Sequence, residues 1–143
     1  MKKFIFLVSL ILLVVFAAQI SAEQTSEKSK SETIETNLII GVNSNNEGLR
    51  ISAAYYLGEM KSEKAVIPLM RMLREEKSDA ARIMAALSLI KIEDPQGLFL
   101  VKRTATFNEY ARVRNLSGHF YNAYLLKKYL EQNPEKAEYI AGF

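Results

Sequence analysis

Apolar residues recur every three or four positions through most of the chain, and polar, turn-forming stretches break the pattern into segments. Ile34, Leu38 and Val42 predict a short helix that stops at Asn43-Ser44-Asn45-Asn46. Leu49, Ala53, Leu57 and Met60 predict a second helix. Val66, Leu69 or Met70, and Leu73 predict a third. Pro68 falls inside that third helix, which therefore kinks there or begins late. Ala81, Ala85, Leu89 and Ile92 mark a fourth. Asp94-Pro95 reads as an N-cap with proline at the first helical position, opening a fifth helix through Leu98 and Val101. Thr106-Phe107-Asn108-Glu109 has the spacing of a capping box and predicts a long last helix that runs until Pro134. No segment alternates with period two over more than four residues, so the pattern predicts an all-α chain.

The beginning of the sequence has a different character. Met1-Lys2-Lys3 precedes an apolar run from Phe4 to Ala18, interrupted only by Ser9, and small residues follow at Ser21-Ala22. This is the layout of a secretory signal peptide over residues 1–22, cleaved after Ala22. The run of 15 residues is short for a membrane-spanning helix, which needs about 20 apolar residues. The expectation is a secreted or periplasmic protein; a retained segment would instead tether it to the membrane. Residues 23–32 hold no large apolar side chain and predict a flexible linker. Residues 33–143 are then the folded domain.

Removal of the leader changes the charge balance. The chain has 19 basic and 16 acidic residues; Lys2 and Lys3 lie in the leader, which leaves 17 basic against the same 16 acidic groups. A net charge of one offers no electrostatic footprint for nucleic acid. The chain has no cysteine, which excludes disulfides and a lipid attached at that residue type. His119 is the sole histidine and reads as a residue on a helix flank. Zinc, iron and triad chemistry all need clusters of such groups. No metal, no cofactor and no catalytic activity are therefore expected.

Self-comparison reveals a repeat. A shift of 32 residues lays RISAAYYLGEM (50–60) over RIMAALSLIKI (82–92), matching Arg50 with Arg82, Ala53-Ala54 with Ala85-Ala86, and Leu57 with Leu89. A second shift reaches Arg114, Ser117-Gly118 and Tyr121. Small pairs let neighbouring helices approach closely, and the larger residue fills the space between layers. A lone helical hairpin cannot cover its own apolar face, so the units must stack.

These residues resemble the HEAT-like repeats named after phycobilisome lyases, whose units run D-x-x-R-x-x-A-A-x-x-L-G, then a turn, then A-V-x-x-L. Here the units are EGLRISAAYYLG (47–58) and DAARIMAALSLI (79–90), with Ala65-Val66-Ile67-Pro68-Leu69 at the start of a second helix. The resemblance covers units of about 47–77 and 79–105 and a degenerate capping unit of about 107–133, in which Ala111 replaces the acidic residue. It implies a short right-handed α-solenoid of helical hairpins. It also implies that Glu47, Arg50, Asp79, Arg82 and Arg114 form a structural ladder of acids and arginines between units. It implies no activity, because fold does not give function.

Candidate binding residues follow from the same register. Arg71 and Arg103 lie one period apart on successive second helices, with Lys64, Arg74 and Lys102 nearby. Two readings stay open: a basic stripe for an acidic or C-terminal peptide segment, or a solvated helix face. The C-terminal aromatics Phe107, Tyr110, Phe120, Tyr121, Tyr124, Tyr129 and Tyr139 are expected mostly in the cap's core, with Tyr110 or Tyr129 on a sticky strip. The sequence thus points to an exported scaffold or adaptor that binds another protein or peptide. The rivals are a membrane-tethered structural protein and an auxiliary small-molecule-binding, lyase-like protein.

Overall fold

The structure, a computed structural model, describes residues 28–136, and every regular element among them is helical. The expected signal peptide, residues 23–27 of the expected linker and Tyr139 lie outside the described residues. The chain divides into two compact units, Met1–Asn37 and Leu38–Phe143. Helix α1 occupies residues 28–41. The expected linker is therefore corrected: residues 28–32 are helical. The linker reading rested on the absence of side chains to bury, but extending an existing helix adds one hydrogen bond per residue fixed. Lys and Glu are good helix formers. The Thr33 and Thr36 hydroxyls donate to the carbonyls of Ser29 and Glu32, both at 2.9 Å.

The second unit follows the sequence register. Helix α2 (Glu47–Glu59) starts at Asn46, whose side chain accepts from Leu49 N at 3.0 Å. A 3₁₀ turn (Glu63–Ala65) leads into α3 (Val66–Glu75). Pro68 is the third residue of α3, in the first turn, where its missing N–H has no helical acceptor to lose. The helix begins late and is not kinked by it. Helix α4 (Asp79–Ile92) is capped by Ser78, and α5 (Pro95–Phe107) by Asp94, which accepts from Gln96 and Gly97. Helix α6 (Ala111–Gln132) is single and long, and residues 134–136 are again helical.

The expected capping box at Thr106 does not form. Thr106 lies inside α5, and its hydroxyl donates to Lys102 O at 3.1 Å, four residues back. The N-cap of α6 is Tyr110, and Asn108 Oδ1 accepts from Tyr110 N at 3.0 Å. Asn46, Ser78 and Tyr110 are thus N-caps at one 32-residue spacing. The turns that end α2 and α4 repeat as well, since Lys61 (φ 51°) and Glu93 (φ 64°) both adopt the left-handed conformation. Helix α6 runs straight through the next such position, and this makes the third unit a single helix.

Within this unit the helices form two layers, with α2, α4 and α6 side by side and α3 and α5 packed on them. The seam between α2 and α4 is the tightest contact. Ala53, Ala54, Ala85 and Ala86 are buried, and a Cβ added to Gly58 would stand 2.8 Å from Ser88 Cα. Ser88 Oγ donates to Ala54 O at 2.7 Å inside this seam. Leu57 and Leu89 are fully buried behind it. Ser117, buried at the position of α6 that corresponds to Ala85, has no hydrogen-bond partner for its hydroxyl among the described residues.

Charges close the other end of the layer. Lys127 and Lys128 of α6 reach Glu93, the C-cap of α4, at 3.0 and 2.8 Å. The Lys128 hydrogen bond first, and that of Lys127 second, hold the Glu93 carboxyl well below the usual range, at about 2. Lys91 of α4 pairs with Glu59 of α2, and Lys128 also pairs with Glu131 at 3.1 Å.

Two predictions follow from this packing. Gly58→Ala gains about 0.5–1 kcal/mol of helix propensity but sets a methyl against Ser88 backbone, and overpacking costs about 1–3 kcal/mol. Gly58→Ala and Ala85→Leu should each lower the thermal midpoint, and an unchanged melt would mean the register is misread. Glu93 has a folded pKa below its unfolded one, so its contribution is present above about pH 4.5 and fades as pH falls towards about 2. Glu93→Gln should melt below wild type at pH 7, and the gap should narrow steadily across that acid range.

Candidate functional site

Three arginines fix the loops from which any surface site is built. Arg50 Nη1 donates to Ser44 O at 2.9 Å, Arg82 Nε to Glu76 O, and Arg114 Nη1 to Asn108 O at 2.7 Å, always six residues back. Glu76 and Asn108 are the C-caps of α3 and α5, so two of these arginines grip carbonyls that the end of a helix leaves without an internal donor. Arg50 also holds the Glu76 carboxylate in a two-pronged pair, at 2.6 and 2.9 Å. The Glu76 hydrogen bond raises the Arg50 pKa. Glu76 therefore ties two units together, with its side chain on Arg50 and its carbonyl on Arg82.

The ladder thus differs in its acidic members. Glu47 accepts from the Ser78 hydroxyl, and Asp79 makes no ion pair with an arginine among the described residues. Both stand in the first turn of a helix, where a carboxylate faces the positive end of the helix dipole. The acid that the arginine uses comes from the loop instead.

The five basic candidates separate in space. Arg71 is exposed and donates to Asn43 Oδ1; it lines a polar groove with Ser44, Arg50, Glu75 and Glu76. Lys64 is exposed in the 3₁₀ turn. Arg74, Lys102 and Arg103 come together on α3 and α5. Met70, Leu73, Leu100 and Thr104 form the floor of a groove of about 450 Å³ there, with Arg74 and Arg103 beside it. A joining concavity holds Lys102 and Thr106. The single basic stripe is thus corrected to two separate sites, because Arg71 turns to Asn43 and the loop before α2 while Arg74, Lys102 and Arg103 line the hollows along α3 and α5.

Two residues of this groove were not singled out as binding residues by sequence reasoning. Phe99 is 67% and Phe107 78% exposed, and both line the groove. They lie four residues either side of Arg103, so all three share one face of α5. The buried face of that helix holds Gly97, Val101 and Thr104. The stripe at 99, 103 and 107 is visible in the sequence once the Leu98–Val101 face is assigned to the core.

Other aromatics divide between roles. Phe120 and Tyr121 pack against the core, and Tyr124 is half-buried. Tyr129 is exposed, while Tyr110 lies under the Arg82 guanidinium, 4.6 Å from ring centre to carbon. His119 is exposed on α6. An apolar hollow of about 390 Å³ opens across α2, α4 and α6, floored by Leu87, Ile90, Phe120 and Tyr124. On its rim Lys91 pairs with Glu59 and Lys127 with Glu93, and Lys61 stands beside them. Among the described residues no group of acids and histidine is placed to hold a metal ion.

The repeat geometry agrees with comparison against known families. A model of HEAT repeats matches residues 34–118. Comparison with curated proteins finds no match. HEAT repeats commonly mediate protein interaction and are generally non-catalytic. The family match spans more than half of the chain and covers both complete hairpins with their arginines and alanine pairs, so this protein belongs to the HEAT-repeat family.

Proposed function

We propose that the protein is an exported, non-catalytic scaffold that captures another protein on the face formed by α3 and α5. The observation that carries this reading is the pair of phenylalanines, Phe99 and Phe107, standing in solvent beside a groove. Burial of one such side chain on a partner is worth about 1.5–3 kcal/mol. Large aromatic anchors beside arginine are the composition of an interface centre. Export rests on the charged start, the apolar run and Ala22 of the sequence. We also read the units as the variant named after phycobilisome lyases, on the arginines, the alanine pairs and Gly58; that variant brings no lyase chemistry with it.

Two measurements test the reading. N-terminal sequencing of the exported protein should begin at Glu23, and recovery of intact Met1 from the membrane fraction would show a retained anchor instead. The double variant Phe99→Ser, Phe107→Ser should keep its melting temperature, because exposed substitutions shift stability by no more than about 0.5 kcal/mol each. Capture of partners from the exporting cell should fall at least about tenfold, which corresponds to 1.4 kcal/mol. Full capture by a folded double variant would remove α3 and α5 as the binding face.

A further inference from the structure

We infer that the groove between α3 and α5 recognises an acidic peptide segment in which carboxylates flank one large apolar side chain. The inference rests on the binding face proposed above and adds the chemistry of its occupant. The first ground is charge. Arg74, Lys102 and Arg103 have no ion pair or side-chain hydrogen bond among the described residues. Several cations elsewhere are engaged, Arg50 by Glu76, Lys91 by Glu59, and Lys127 and Lys128 by Glu93. No described carboxylate lines this groove or the concavity that joins it. Three unanswered positive charges around one hollow select anionic groups and repel cationic ones.

The second ground is shape. Phe99 and Phe107 stand either side of Arg103 on one helix, and Met70, Leu73 and Leu100 line the hollow beside them. An apolar side chain in that hollow would meet aliphatic and aromatic surface on several sides, while its flanking carboxylates meet the cations. Cations next to low-dielectric walls attract a carboxylate more strongly than the same cations in open water. A lipid surface fits this form poorly, since it offers no side chain to enter a concavity. A nucleic acid strand needs cations along its backbone track, and three around one hollow do not make one.

The test uses the full chain and fluorescent peptides of about fifteen residues. One peptide has a central Phe flanked by glutamates; a second replaces every glutamate with glutamine; a third replaces the Phe with Ser. The first should bind saturably, and each of the others at least about tenfold more weakly. Raising salt from about 0.05 to about 0.5 M should weaken the first by a further factor of about ten, because exposed charges are screened. Arg103→Glu should abolish the preference for glutamate over glutamine while the protein still melts as wild type. Lys136→Glu, on the last described turn, should leave it intact.

Equal binding of glutamate and glutamine peptides, or an unchanged preference in Arg103→Glu, overturns the inference. So does binding of a single-stranded oligonucleotide or of anionic phosphatidylserine vesicles in place of the acidic peptide. The two levels fail separately. If Phe99→Ser, Phe107→Ser loses partner capture while acidic peptides bind no better than neutral ones, the face stands and its chemistry is wrong. If the phenylalanine variant keeps capture, the face itself is wrong.

Discussion

The stack depends on how closely α2 and α4 approach. Gly58 has no room for a β-carbon, and Ser88 occupies the space opposite while sharing its hydroxyl proton with Ala54 O. Two backbones this near can be joined only by the smallest side chains, so the alanine pairs are a consequence of the distance. Once the seam is set, Leu57 and Leu89 are carried to fixed depths behind it, and α3 and α5 have one surface on which to lie. The positions of the loops, and so of the groove, follow from that layer.

The arginines solve a different problem. A helix end leaves carbonyls without internal donors, and a buried or crowded carbonyl left unpaired is costly. Arg82 and Arg114 answer this at the ends of α3 and α5, while Arg50 does so at Ser44, beyond α1. Arginine suits the task because its fork presents several donors in one plane. Arg50 uses this to hold a carbonyl and both oxygens of Glu76 at once. An exposed ion pair would contribute little, whereas this one is mostly buried and two-pronged.

Much of this was legible in the sequence because the repeat imposes one spacing on several features. Arg50, Arg82 and Arg114, the small pairs and the Asp94-Pro95 helix start were all visible as residue types. The start of α6 was missed for a physical reason. Threonine three residues before glutamate satisfies the capping-box pattern, yet the same hydroxyl can instead bond the carbonyl four residues back, as Thr106 does. The register itself held the answer, since Asn46 and Ser78 project a third N-cap onto Tyr110. The acidic partner of Arg50 was hidden because Glu76 lies in a loop, where periodicity carries no information. The groove was half legible: its cations stood out by charge. Its phenylalanines did not, because a large apolar residue in a helical pattern is first assigned to the core.

That assignment fails at Phe99 and Phe107 because α5 buries only a narrow face, Gly97, Val101 and Thr104. A narrow face suffices where small residues let the neighbour come near, as Gly97 does against the Leu89 side chain. Helix α5 is therefore held without using its largest side chains. Scattered exposed apolar residues are ordinary on protein surfaces and need no explanation. Two phenylalanines on one helix face, with three unpaired cations between and beside them, are not scattered. Folding does not account for their arrangement, since neither phenylalanine is among the residues that form the core. A surface on which apolar and cationic groups alternate around a hollow is accounted for by something that enters it. Both layers hold the core, α3 through Leu69 and Leu73 and α5 through Val101, and the binding face proposed above is the outer side of α3 and α5.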